Sequence, residues 1–132
     1  MGSLIDSSIF VAIERGRADL EGKLSALADE VLLSAITASE ILHGVHRATS
    51  ALRRAKREAT VEATLAAFPV LPFDLECARH HARVAADLAA QGASVGDHDL
   101  LIAATALAYR HRVVTLDVRS FPRIPGLEVD VW

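Results

Sequence analysis

The stretch Leu4-Ile5-Asp6-Ser7-Ser8-Ile9-Phe10-Val11-Ala12-Ile13 reads as a strand, an acid and a helix in immediate succession. Leu4-Ile5 has the apolar character of a short buried strand. Asp6 breaks that run. Ser8 is placed to cap a short helix through Ile9–Ile13, which Gly16 would end. The same unit recurs further along. Val31-Leu32-Leu33 reads as a second strand, followed by Thr37-Ala38-Ser39-Glu40, the pattern of a capping box opening a helix to about Ala48. Phe68-Pro69-Val70-Leu71-Pro72 is a short strand framed by prolines, with Asp74 capping a helix to about Ala90. Val113-Val114-Thr115 is another strand, followed closely by Asp117, and Leu127-Glu128-Val129 is a candidate last one. Further helices are expected over Ala18–Ala28, with Leu20, Leu24 and Leu27 on one face, and over Ser50–Ala67. After the loop Gln91–Gly96, Asp97 leads into the helix Leu100–Tyr109, which is apolar nearly all round and so predicted to be central. Strands alternating with helices predict an α/β fold, a small mostly parallel sheet flanked by helices in one domain over residues 1–132.

Composition narrows the function. The 132 residues are 52% hydrophobic and 23% charged, a globular profile. The net charge of −3 disfavours a simple DNA-binding module, whose affinity would rest on a basic surface. It leaves room for a nuclease, because an acidic metal site contributes negative charge that bound cations neutralise. Cys77 is the only cysteine, which excludes an intramolecular disulfide and thiolate zinc sites. The N-terminus has no basic n-region, Asp6 stands where a myristoylation signal wants Ser or Thr, and no apolar run approaches the ~20 residues of a membrane span. The expectation is a cytoplasmic protein with no membrane partner.

The acids fall at strand-to-helix junctions. Asp6 follows the first strand, Glu40 lies early in the helix after the second, Asp97 and Asp99 open the apolar helix, and Asp117 follows Val113-Val114-Thr115. In open α/β sheets such junctions converge outside the carboxyl ends of the strands. Carboxylates gathered there repel one another unless a cation lies between them. Hard oxygen donors suit Mg²⁺ or Mn²⁺, which also bind phosphate oxygens, so phosphodiester hydrolysis is the natural reaction.

Four segments carry a family resemblance. They are Leu4-Ile5-Asp6-Ser7-Ser8, Thr37-Ala38-Ser39-Glu40-Ile41-Leu42-His43-Gly44, Asp99-Leu100-Leu101-Ile102-Ala103-Ala104-Thr105-Ala106-Leu107 and Thr115-Leu116-Asp117-Val118-Arg119-Ser120-Phe121. In this order they resemble the successive motifs of PIN-domain proteins. With Ile124-Pro125-Gly126-Leu127 the chain is most similar to VapC-type toxins of bacterial toxin–antitoxin pairs. The resemblance implies a PIN-like three-layer fold and a homodimeric endoribonuclease dependent on Mg²⁺ or Mn²⁺. It would hydrolyse RNA through a metal-activated water, leave a 5′-phosphate, and be silenced by a cognate antitoxin. Asp6, Glu40, Asp99 and Asp117 match the family's acidic positions, as catalytic residues and metal ligands. Ser7 and Thr115 match supporting hydroxyls, and Asp97 is a candidate extra or outer carboxylate. Asp117 stands where many members carry Asn, and Ser120 receives no role.

Plainer readings stand beside these. Asp6 and Asp97 would serve as helix caps, Asp99 as a first-turn acid complementing the helix dipole, and Asp117 as a turn residue. The capping box explains Glu40 without any metal. Arg47, Arg53, Arg54, Lys56 and Arg57 form the densest basic stretch, either a solvated helix face paired with Glu58 and Glu62 or a patch that tracks phosphates, with Arg47, Arg53 and Arg54 as the substrate-binding candidates. Glu40 and His43 have the i, i+3 spacing of a carboxylate–histidine site, but no second such pair exists. A receiver domain would need a later strand lysine, and none follows Lys56; a haloacid-dehalogenase-like site would need an acid where Ser8 stands. The remaining alternative is a catalytically weak PIN-like module that binds an antitoxin or RNA without cutting.

Overall fold

The computed structural model describes residues 1–132. Five strands form one parallel sheet: β1 (Ser3–Ile5), β2 (Val31–Ser34), β3 (Val70–Leu71), β4 (Arg112–Thr115) and β5 (Val129–Val131), in the order β3-β2-β1-β4-β5. Leu4 lies opposite Leu32 on one side and Val113 on the other, so the first strand of the chain is the central one. Six helices surround the sheet: α1 (Ser7–Glu14), α2 (Ala18–Ser25), α3 (Ala35–His46), α4 (Ala51–Ala67), α5 (Leu75–Ala90) and α6 (Asp97–Tyr109).

The alternation of side chains along a strand divides the core into two layers. Leu4, Leu32 and Val113 point to one face, where they meet Val84 and Leu88 of α5, Ile102, Ala103 and Ala106 of α6, and Phe121 and Ile124. Their neighbours Ile5, Leu33 and Val114 point to the other, against Ile9 of α1, with Phe10, Ile13, Leu24, Leu65 and Phe68 around them. Helix α6 buries Leu100, Ile102, Ala103, Ala104, Thr105 and Ala106, which cover almost its whole circumference, as its all-round apolar sequence predicts.

Several expected boundaries shift. Helix α1 starts at Ser7, with Asp6 at the N-cap position, because the Ser8 hydroxyl is occupied by Asp6 and by the N–H of Leu116. The Thr37–Glu40 capping box does not form. Helix α3 begins directly after β2, where Ser34 Oγ accepts the Thr37 N–H at 3.0 Å, and Glu40 therefore lies deeper in the helix. Gly96 occupies the N-cap position of α6, so Asp97 is already a helical residue. Asp74 does cap α5, accepting the Cys77 N–H at 3.0 Å. The last strand is Val129–Val131, two residues beyond the expected start, since Leu127 turns inward to the main core. No helix is long and apolar enough to cross a membrane.

Candidate active site

Parallel pairing of β2, β1 and β4 brings three strand ends side by side at their carboxyl edge. Asp6 leaves β1 there, held by its own N–H to Val114 O at 2.9 Å. Its carboxylate is 4% exposed and does not cap α1. Instead Oδ2 accepts two hydroxyls, Ser8 Oγ at 2.7 Å and Thr115 Oγ1 at 2.9 Å. Both bonds fall on one oxygen, and Oδ1 has no donor from the protein. The plain cap reading of Asp6 is thereby removed.

Thr115, which donates to Asp6, also accepts the Asp117 N–H at 2.9 Å. Ser7 turns to a different acid: its hydroxyl donates to Glu40 Oε1 at 3.2 Å. The other oxygen of Glu40 lies 3.5 Å from His98 Nδ1, so α3 and the start of α6 meet there. Asp117 Oδ1 accepts the N–H groups of Arg119 at 2.7 Å and Ser120 at 3.1 Å, an Asx turn of the kind its plain reading predicts. Its Oδ2 remains without a protein donor.

Electrostatics tie the four acids together. Burial pushes the Asp99 carboxyl up to about 6, and the charges of Asp6, Asp117 and Glu40 push the same way against the nearby Ser120 hydroxyl. Burial would also raise Asp117, but the N–H groups of Arg119 and Ser120, the Ser120 hydroxyl and the Arg119 charge together hold it below its ordinary value. Asp99 therefore feels the charges of three other carboxylates, which a first-turn acid serving only the helix dipole would not. Asp97 is exposed, hydrogen-bonds to none of these groups, and does not join them.

A cleft of about 640 Å³ extends from Glu40 between α1 and α4. Phe10, Ile13, Ile41 and Val61 give it apolar walls, and Glu14, Arg53, Lys56 and Arg57 line it as well. Of the three arginines singled out in the basic stretch, only Arg53 lines this cleft. Arg47 is exposed elsewhere, and Arg54 reaches back to Ala48 O at 3.4 Å. Arg57 is pinned by Glu14 at 2.8 Å and by Gly44 O at 3.0 Å. Lys56 and Arg57, from the same basic stretch, line the cleft with Arg53, since the helix phase decides which basic side chains face inward. Ser8, read as a helix cap, and Ser120, given no role, instead contact the acids Asp6 and Asp117. Nothing in a run of two serines says which hydroxyl faces the acid.

His43 faces away from the acids, in a shallow depression with Ala38, Leu42 and His46, so its spacing from Glu40 brings no shared site. No group of three or more His, Cys, Asp or Glu side chains is drawn tightly enough to enclose an ion as the side chains stand.

Comparison with known proteins agrees with this architecture. Residues 3–127 match the PIN domain family. Ribonuclease VapC1 of Rickettsia felis is 40% identical over 129 residues, which span 98% of this chain and 95% of that protein. Among solved structures, VapBC2 from Rickettsia felis bound to a DNA fragment from its promoter superposes with a TM-score of 0.91. It is 24% identical and covers 100% of this chain and 99% of the other. VapBC-5 from Mycobacterium tuberculosis, a member of the VapBC family of toxin–antitoxin systems, superposes with a TM-score of 0.77. It is 31% identical over 98% of this chain and 95% of the other. The chain belongs to the PIN-domain family and, within it, groups with the VapC ribonucleases.

Proposed function

We propose that the chain is a divalent-metal-dependent endoribonuclease, the toxin of a type II toxin–antitoxin pair. The observation that carries this reading is the convergence of Asp6, Glu40, Asp99 and Asp117 at the carboxyl edge of the sheet, with Asp99 raised to about 6 by burial and the other three. Carboxylates that oppose one another's charge in this way are a set that a bound cation would stabilise.

The donor set fits Mg²⁺ or Mn²⁺. Every candidate ligand is a hard carboxylate oxygen, and Asp6 and Asp117 each keep one oxygen without a protein donor while hydroxyl or N–H groups hold the other. Asp6, Glu40, Asp99 and Asp117 would hold the ion, with Asp97 left at the rim. When bound, such an ion supplies charge to the phosphate and lowers the pKa of water. The chain itself does the rest. Thr115 and Ser7 fix the Asp6 and Glu40 carboxylates, so they need not reorganise when substrate arrives. Arg53 and Lys56 would take up RNA phosphates along the cleft. The apolar walls of the same cleft suit a segment of a cognate antitoxin, a partner supported by the toxin–antitoxin likeness of VapBC-5. A homodimer in solution completes the reading.

The test is cleavage of total cellular RNA by antitoxin-free protein with Mg²⁺, Mn²⁺ or EDTA. Discrete fragments that disappear with EDTA are the expected result. Cleavage indifferent to EDTA, or none from folded protein under either ion, would overturn the proposal.

Stability supplies an independent check. The folded-state pKa of Asp99 is raised from 3.8 to about 6, so the folded chain binds this proton more tightly than the unfolded chain. Its contribution to stability is present below 3.8, is lost as pH rises through about 6, and stays lost above. Mn²⁺ is expected to replace the proton, raising the Tm of chelator-treated protein more at a pH of about 7.5 than at about 5. An equal gain at both pH values would contradict it.

A further inference from the structure

The hydroxyl of Ser8 lies where the ends of β1 and β4 meet, and its hydrogen bonds can be counted atom by atom. A serine hydroxyl has one proton to donate and accepts through its lone pairs. Ser8 Oγ sends its proton to Asp6 Oδ2 at 2.7 Å and accepts the Leu116 N–H at 3.1 Å. Thr115 repeats the arrangement from the opposite strand. Its proton goes to the same Asp6 Oδ2 at 2.9 Å, and it accepts the Asp117 N–H at 2.9 Å. The two hydroxyl oxygens stand 3.4 Å apart, and with both protons already directed at Asp6 neither needs the other.

The result is a pair of matched clamps. Consecutive backbone N–H groups, of Leu116 and Asp117, each feed a hydroxyl, and both hydroxyls feed one carboxylate oxygen. A carboxylate oxygen that accepts two O–H donors is held in fixed rotation, which leaves Oδ1 as the oxygen without a protein donor. Thr115 alone would leave the Asp6 carboxylate free to rotate about a single hydrogen bond. Ser7, the neighbouring hydroxyl, is engaged with Glu40 at 3.2 Å and does not substitute for Ser8.

We propose that Ser8 is a positioning residue for the nuclease site: it fixes which oxygen of Asp6 is presented to a divalent ion, and it ties that oxygen to the β4 turn that carries Asp117. This rests on the metal-dependent reading given above. It adds a residue that neither touches substrate nor supplies a ligand.

The experiment is a titration of Mn²⁺ into apo-protein, with free Mn²⁺ followed by its electron paramagnetic resonance signal, for wild type, Ser8→Ala and Ser8→Thr. Removal of a group that orients a ligand typically weakens metal affinity about 10- to 100-fold. Ser8→Ala is expected to weaken Mn²⁺ binding in that range and to lower kcat for RNA while KM stays near its wild-type value. Ser8→Thr, which keeps the hydroxyl, is expected to recover most of both. Ser8→Cys, of nearly the same size but a weak donor, carries the same test should the alanine variant fold poorly, and is expected to fall between. Wild-type Mn²⁺ affinity in Ser8→Ala or Ser8→Cys, or a folded Ser8→Thr no better than Ser8→Ala, would overturn the assignment of Ser8 alone. Wild-type protein that takes up no Mn²⁺ would instead overturn the metal-dependent reading beneath it, and this assignment with it.

Discussion

Replacing Asp99 with Asn is expected to lower RNA cleavage by at least about 10²- to 10³-fold, the scale of losing one preorganised electrostatic contact in an active site. The fold should survive the change. Asp99 is partly exposed at the first turn of α6, and Asn fills nearly the same volume. Stability should even gain at neutral pH in chelator, because the substitution removes a carboxylate that the charges of Asp6, Asp117 and Glu40 oppose. Activity and Tm therefore move in opposite directions. A variant that loses both has suffered structural damage, and one that keeps full activity removes Asp99 from the site. Single-turnover cleavage and thermal melting of the same preparation decide between these outcomes.

Phe121→Ala is expected to have the largest effect on stability, about 3–5 kcal/mol, the usual range for deleting a buried aromatic side chain. Phe121 is fully buried and packs into the main core beside Ile124 and the α5–α6 layer. It also begins the short 3₁₀ turn Phe121–Arg123, immediately after the Asx turn of Asp117. The ring thus anchors the segment that carries one of the four acids. Urea unfolding of the variant should show a lowered midpoint with an unchanged slope, and cleavage should fall even where the protein remains folded. A loss under about 1 kcal/mol would mean that the surrounding side chains close over the cavity.

How far the sequence could be read depended on the kind of signal. The strand–acid–helix unit at Leu4–Ile13 located β1, α1 and Asp6, because burial on both faces of a parallel strand leaves a run of apolar residues that an acid visibly interrupts. Glu40, Asp99 and Asp117 were singled out by their order along the chain and by the family resemblance of their segments, although only Asp117 closely follows a strand. The family likeness was legible in the same four segments. Hydroxyls were harder. Ser7 and Ser8 are equivalent as letters, and only the phase of α1 sends one to Glu40 and the other to Asp6. The capping pattern at Thr37 was a true motif in the wrong place, outcompeted by Ser34, which sits where β2 ends and can reach the same N–H group. Among the basic residues, Arg53, Arg54 and Lys56 are near neighbours in sequence but face different surroundings around the helix.

The central position of β1 bears on when the acid cluster is completed during synthesis. Asp6 and Thr115 stand 109 positions apart in the chain, yet the Asp6 N–H is bound by Val114, one of its two hydroxyl partners is Thr115, and Asp117 follows them. A chain still on the ribosome and short of Arg112 has the acid but not the strand that places it. Contacts closed across almost the whole length of a polypeptide form late, after the costly loop has been drawn in. The acid cluster is therefore completed only once β4 is in place beside β1.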